Sequence, residues 1–336
     1  MVKIVGNEVG PLGYGLMRLT WSVTPASKTQ SLGAMKTALD KGCSFWNGGT
    51  FYGTPEYNSL HLLNEYFTQY PSDADKVVLS IKGGMNAATR QPDGSREGVR
   101  QSIDESLRVL DGKKKLDIFE CARVDSKVPV EVTIRAAAEY IKEGKLGGIA
   151  LSECSADTIR RAAKVHPIAC VEVEYSLWAT EIEENGVAQA CKENNIPIVA
   201  YSPLGRGFLT GQIKTPNDIP EDDMRRHMPR FQPDVFDENL KLVHEITAIA
   251  DKKGCKPSQM ALAWIFKTSG RGGMPEIIPI PGARVEERVL ENTTLVSLTD
   301  SEFDELNAVI KRIPVVGGRY PEAFSHMNFG DSPPEK

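Results

Sequence analysis

Two short segments hold the side chains best suited to chemistry. The first, Asn47-Gly48-Gly49-Thr50-Phe51-Tyr52-Gly53, follows the apolar run Phe45-Trp46; the second, Lys82-Gly83-Gly84, follows Val77-Val78-Leu79-Ser80-Ile81. Each lies where an apolar strand would end. A free phenol titrates near pH ~10 and a free amine near ~10.4, so neither Tyr52 nor Lys82 does acid–base work at neutral pH unless perturbed. An ammonium beside the phenol favours phenolate and lowers the tyrosine's pKa, more so in a closed, low-dielectric site. Such a pair could deliver a proton to a carbonyl oxygen as hydride reaches the carbon. The alternative is structural: Tyr and Lys at strand ends also pack their stems on apolar surface while their polar tips reach water.

Other chemistry is poorly supplied. The six cysteines (Cys43, Cys121, Cys154, Cys170, Cys191, Cys255) form no C-x-x-C pair and mostly sit in or beside apolar runs, as reduced core thiols do. Neither a disulfide framework nor a metal site is expected. There are only five histidines, His61, His166, His227, His244 and His326. Forty Lys+Arg against 45 Asp+Glu leave a formal charge of -5 and no global basic field for a phosphate backbone, so no nucleic-acid partner is expected. No stretch approaches the roughly 18 apolar residues of a membrane span, and Met1 to Gly10 lacks a signal-peptide pattern. A soluble, cytoplasmic protein with no membrane partner is the expectation.

The elements that must position Tyr52 and Lys82 follow from periodicity. Short apolar runs read as strands at Ser44 to Asn47, Val77 to Ile81, Leu116 to Phe119, Gly148 to Leu151, Ala169 to Val173, Pro197 to Tyr201 and Ile277 to Ile280. Helical patterns lie between them: Val99, Ile103, Leu107 and Leu110 share one face, as do Leu240, Val243, Ile246 and Ile249. Strand–helix alternation implies an α/β protein with a parallel sheet, closed as a barrel or open and doubly wound. An open dinucleotide-binding sheet would carry G-x-G-x-x-G, and Gly13-Tyr14-Gly15-Leu16-Met17-Arg18 lacks the third glycine. No Pro/Gly/Ser-rich or charged linker divides the 336 residues. A single (β/α)8 TIM barrel over 1–336 is expected, with Leu12 to Met17 as its first strand. A long loop falls at about 203–236, and a C-terminal tail at about 313–336; within it, Phe324 to Lys336 is expected to be disordered in part or to line the pocket.

Ordered motifs along nearly the whole chain resemble the aldo-keto reductase superfamily. They are Leu12-Gly13-Tyr14-Gly15-Leu16-Met17, Gly42 to Gly53, Lys82-Gly83, Asp117-Ile118-Phe119-Glu120-Cys121-Ala122-Arg123-Val124-Asp125, Gly144-Lys145, Ser152-Glu153 and Glu174-Tyr175-Ser176-Leu177. Ala200-Tyr201-Ser202-Pro203-Leu204-Gly205-Arg206-Gly207, Ala261-Leu262-Ala263-Trp264 and Ile280-Pro281-Gly282-Ala283-Arg284 leading to Glu291-Asn292 complete the set. The resemblance implies an aldo-keto reductase-type barrel that binds NADPH and reduces aldehydes or ketones, with Tyr52 as proton donor and Lys82 as its partner. Two positions depart from the family: Asn47 stands for the aspartate that pairs with the lysine, and Ala122 for the histidine that orients the carbonyl. Asn47 supplies a hydrogen-bond acceptor without charge. With no carboxylate sharing the ammonium, the Tyr52 pKa is expected to fall further. Ala122 removes a donor and opens room for a ring-bearing substrate with its own polar group.

Trp46-Asn47, Ala122-Arg123-Val124-Asp125 and Ser152-Glu153 together are most similar to fungal pyridoxal reductases, which implies pyridoxal as the aldehyde substrate. Implied cofactor contacts are Leu16, Met17, Ser152, Glu153, Glu172, Tyr201, Ser202, Leu204, Gly205, Arg206, Gly207, Gly282, Ala283, Arg284, Arg288, Glu291 and Asn292. Among these, Arg284 and Arg288 would grip a 2'-phosphate, Tyr201 would stack on the nicotinamide, and Glu153 and Glu172 stand where the family has amides for the carboxamide. Arg284 and Arg288 also form an i, i+4 pair that could be plain helix surface. Trp21, Trp178 and Phe231 are candidate pocket walls. Alternative readings are a carbonyl reductase for another aldehyde or ketone, or a low-turnover sensor in which NADPH occupancy matters more than chemistry. The oligomeric state is not legible.

Overall fold

A computed structural model describes residues 2–23, 26–86, 89 and 91–336. Ten strands occur among them: β1 (Val2–Ile4), β2 (Asn7–Val9), β3 (Tyr14–Gly15), β4 (Phe45–Gly49), β5 (Val78–Gly83), β6 (Leu116–Cys121), β7 (Leu146–Ser152), β8 (Ile168–Glu174), β9 (Ile198–Tyr201) and β10 (Ile277–Pro279). Strands β3 to β10 form one parallel eight-stranded sheet in sequential order, with helices in the crossovers from β3 onward. The expected eight strands are thus all present. The first is shorter than read: only Tyr14–Gly15 is strand, and Met17 already begins a helical turn, Met17–Thr20.

The barrel closes through a seam of two backbone hydrogen bonds, Gly13 N to Pro279 O (2.9 Å) and Gly15 N to Pro281 O (3.4 Å). Glycine makes that approach possible. A Cβ at Gly13 would stand 2.8 Å from Ile280 Cγ2, and one at Gly15 would stand 2.9 Å from Ile280 O. The Gly13-Tyr14-Gly15 run that fails as a dinucleotide fingerprint serves instead to let the first strand lie against the last.

Inside the barrel the residues form tiers, because alternate strand residues point to the same face. The lowest tier is apolar: Phe45, Val78, Ile118, Ala150, Cys170, Val199 and Ile278 join Ile4 and Val9 of the β1–β2 hairpin in one buried cluster. Sequence periodicity missed that hairpin, whose strands have three residues each; it plugs the amino-terminal end of the barrel. Two positions further along the strands the tier turns polar, with Asn47, Ser80, Glu120, Ser152, Glu172 and Tyr201.

The helices pack their predicted faces inward. Arg96–Leu110 starts at a Ser95 cap that accepts from Gly98 N and buries Val99, Ile103 and Leu110, leaving Leu107 half-buried. Pro233–Lys253 buries Val243, Ile246 and Ile249, with Leu240 partly buried. That helix begins inside the stretch read as loop: the irregular segment ends at Gln232, because Pro233 is tolerated in the first helical turn. The tail is docked. Gly330 pairs with Cys154, Ser332 Oγ accepts from Val130 N, and Arg161 donates to Ser332 O and Pro333 O (both 2.7 Å).

Candidate active site

Lys82, at the carboxyl end of β5, is the hub of the polar tier. Its ammonium donates to Asn47 Oδ1 (2.8 Å) and forms ion pairs with Glu172 Oε1 (2.5 Å) and Glu120 Oε1 (3.1 Å). Asn47 Nδ2 and Ser80 Oγ donate to Glu120 Oε2 (2.8 and 2.9 Å). Lys82, Glu120 and Glu172 are each no more than 3% exposed, so this is a desolvated charge cluster and not a surface pair. Glu120 and Glu172 hold the ammonium pKa above its usual value although burial alone would lower it.

Tyr52 follows β4, and its ring centroid lies 5.8 Å from Lys82 Nζ. The direction of its pKa is the reverse of the sequence expectation. Burial raises it, and Glu172 and Glu120 add to the rise against the lowering by Lys82, so the phenol is pushed up to about 12. The charge that Asn47 lacks is supplied from β6 and β8. Glu120 was absent from the sequence-derived site; the parity Ile118, Glu120, Ala122 along one strand face is the signal that places it inside.

Ala122 is buried at the end of β6, and Arg123 lies beside it. The Arg123 guanidinium donates to Ala122 O (2.6 Å) and Ser152 Oγ (3.5 Å), and its charge acts on Tyr52 to lower the phenol pKa. Trp21 is tilted over Tyr52 at 5.9 Å between centroids. Trp178 and Phe231 meet each other (5.1 Å) and share Phe208, on which Trp178 stacks at 4.5 Å.

A second charge cluster gathers the sequence candidates Glu153, Tyr201 and Arg206 around Arg319, which the sequence reading missed. Arg319 grips buried Glu153 with two hydrogen bonds of 2.8 Å; Tyr201 Oη and Glu174 N also donate to Glu153 Oε1 (2.9 and 3.0 Å). Burial pushes the Glu153 carboxyl up, but Arg319 outweighs it and holds it below the usual carboxylate range. Arg206 pairs with Glu174 (2.9 Å), and Tyr201 Oη lies 3.2 Å from Tyr320 Oη. Glu153 thereby anchors the C-terminal segment, and Glu172 is engaged with Lys82.

The remaining cofactor candidates lie on the segments that follow β3, β9 and β10. Leu16 is bound to β4 by its amide (2.8 Å to Asn47 O), and Met17 follows it. Ser202, Gly205, Arg206 and Gly207 have positive φ, so the segment containing Leu204 turns sharply. Gly282 and Ala283 lead from β10 to Arg284, which donates to Ser22 Oγ (3.2 Å). Asn292 is buried, and Glu291 accepts from Ser258 (2.6 Å) and Arg288 (2.9 Å). Arg18 and Arg225 both approach Asp223, at 3.6 and 2.7 Å. Burial depresses the Arg18 pKa, and the neighbouring charges of Arg225 and Arg284 add to the fall against the opposing effect of Asp223. That excess of positive charge beside positive-φ backbone fits the phosphates of a dinucleotide. Among the described residues there is no group of three or more His, Cys, Asp or Glu able to hold a metal, and no helix is long and apolar enough to cross a membrane.

A parallel barrel with a buried Tyr–Lys pair at its strand ends defines a class, and comparison agrees: residues 11–311 match the Aldo/keto reductase family, to which the chain belongs as an oxidoreductase. Among its relatives, "Probable pyridoxal reductase 2" of Schizosaccharomyces pombe is 41% identical, covering 95% of this chain and 97% of the relative. An NADP(+) aldo-keto reductase of the same yeast, yakc, is 37% identical over 98% and 97% of the two chains. The glycerol dehydrogenase of Gluconobacter oxydans shares the fold, with a TM-score of 0.80 at 22% identity over 94% and 96%.

Proposed function

We propose that this enzyme uses NADPH to reduce an aldehyde to an alcohol, pyridoxal to pyridoxine, with Tyr52 as proton donor and Lys82 as its charged support. The observation that carries the reading is the buried Lys82 ammonium 5.8 Å from the Tyr52 ring. Bound NADPH supplies the hydride that goes to the carbonyl carbon. Because burial and the two carboxylates push Tyr52 up to about 12, the neutral phenol is the populated form at physiological pH, which suits a donor. Its O–H bond breaks as the new alcohol O–H forms, and the phenolate left behind lies in the field of Lys82.

The cofactor's phosphates suit Arg18, Arg225, Arg284 and Gly205 to Gly207, with Arg284 on the 2'-phosphate and Asn292 toward adenine. Arg288 is paired with Glu291, an arrangement of helix surface as much as of a phosphate grip. Tyr201 and Ser152 serve the nicotinamide end. Ala122 supplies no donor where an imidazole would stand, and a pyridoxal ring brings a phenolic hydroxyl beside its aldehyde to polarise the carbonyl from within. Similarity to a protein named as a pyridoxal reductase supports the same substrate.

The test is NADPH consumption with pyridoxal and with 4-nitrobenzaldehyde. Tyr52→Phe is expected to lower kcat by about 10²–10⁴ with NADPH binding retained. A large kcat/KM excess for the nitro compound sinks the pyridoxal assignment. Tight NADPH binding with no turnover of any aldehyde sinks the reductase reading.

A further inference from the structure

The buried carboxyls around Lys82 outnumber its charge. Two acidic side chains, Glu120 and Glu172, face one ammonium inside the barrel, and each leaves one oxygen poorly served. Glu172 Oε2 and Glu120 Oε1 are buried with no hydrogen-bond partner among the described residues, the latter meeting Lys82 only as an ion pair at 3.1 Å. The two carboxyls are within hydrogen-bonding reach of each other. One proton held between the two carboxyls would give this acceptor-rich pair a donor and bring the group of three to neutrality. Leaving both ionised would strand a net negative charge in a desolvated tier, at a cost that buried groups ordinarily escape by taking up a proton.

We propose that Glu120 and Glu172 share one proton over Lys82 and act through it as positioning residues for Tyr52, a divided replacement for the single carboxylate absent at Asn47. The inference rests on the reading of Tyr52 as proton donor. The Lys82 ammonium donates to Asn47 and is ion-paired with Glu120 and Glu172, so its position is fixed by groups on β4, β6 and β8 at once. None of the three is Tyr52, which Lys82 therefore influences by its field. How much of that field reaches the phenol depends on whether the carboxyl pair holds its proton. With the proton present, Lys82 is opposed by one negative charge; with it gone, by two, and Tyr52 becomes a weaker acid.

The groups facing Glu172 set its acidity. Lys82 from β5, Glu120 from β6, the Tyr52 phenol and the Cys170 thiol on β8 itself are its titratable neighbours, and its register neighbours Ser152 on β7 and Val199 on β9 carry no charge. Burial and the Glu120 carboxylate push Glu172 up to about 8 despite Lys82, within the range where the proton can come and go. Burial likewise raises Cys170 well above the thiol range, so it stays neutral there.

The experiment is the pH profile of kcat for pyridoxal reduction in the native enzyme, Glu172→Gln, Glu120→Gln and Tyr52→Phe, with infrared spectra of the native enzyme and both glutamine variants. Native kcat is expected to fall about threefold to tenfold through a limb near 8, the response of a proton transfer to a donor weakened by about one pKa unit or more. Glu172→Gln removes the limb. The native spectrum should show a protonated-carboxyl band that Glu172→Gln abolishes and Glu120→Gln shifts. A limb that persists in Glu172→Gln overturns the proposal, as does a native spectrum without the band, which needs no variant to fold. If Tyr52→Phe retains turnover, the donor assignment fails first, and the infrared result still decides whether the proton is shared.

Discussion

Arg319→Met probes the energetics of the second charge cluster. In the native protein two charge-assisted hydrogen bonds of 2.8 Å join Arg319 to Glu153, a residue with no solvent exposure. Such bonds contribute about 1.5–3 kcal/mol each. Stripping one partner from a buried pair costs about 3–5 kcal/mol, because the other charge is left uncompensated. Tyr201 Oη and Glu174 N still donate to Glu153, so the lower part of that range applies. The pH dependence has a definite sign. Native Glu153 has a lowered pKa, so its contribution is present above the unfolded carboxyl value and is lost as pH falls. In the variant, burial dominates and raises the folded pKa; Glu153 is then comfortable only when protonated, and the deficit grows as pH rises. The expected loss is about 3 kcal/mol at neutral pH, shrinking by up to about 1.4 kcal/mol per unit as the solution is acidified. Urea unfolding followed by tryptophan fluorescence at two pH values measures it, and Glu153→Gln with Arg319→Met should recover part of the loss. A deficit below about 1 kcal/mol, or one equal at both pH values, refutes the reasoning.

Two further outcomes are expected. Arg284→Ala should weaken NADPH binding by about 10–100-fold, the worth of a charge-assisted phosphate contact, and leave NADH binding nearly unchanged. Equal loss for both cofactors in a fluorescence titration removes Arg284 from the 2'-phosphate. Gly53→Ala should cost about 1–3 kcal/mol, because Gly53 has φ +132° and an added Cβ would lie 2.4 Å from Tyr57 O. Since Tyr52 is its neighbour, kcat should fall along with the thermal midpoint; a variant with native kcat shows that the turn does not set the phenol's place.

Strand order was legible because each buried parallel strand is a short apolar run followed by a polar end, and that pattern survives in one dimension. Tyr52 and Lys82 were legible for the same reason. What lay beyond reach depends on partners distant in the chain: Glu153 finds Arg319 at a separation of 166 residues, and no local pattern announces it. Glu120 was hidden differently, as a single acid inside Leu116-Asp117-Ile118-Phe119-Glu120-Cys121, where counting parity from Ile118 would have turned it toward Lys82. Treating Lys82 with Asn47 alone gave the wrong sign for Tyr52, since two carboxylates and burial outweigh one ammonium. The reason for glycine at positions 13 and 15 was not legible, because sequence does not say that a close approach is to another strand.

The hairpin Val2–Val9 and the apolar tier above it close the barrel floor. Above that floor Lys82, Glu120 and Glu172 are each no more than 3% exposed. A proton that this group gains or loses must therefore pass through packed protein and not directly into bulk water, which ties its titration to the motions of the side chains that cover it.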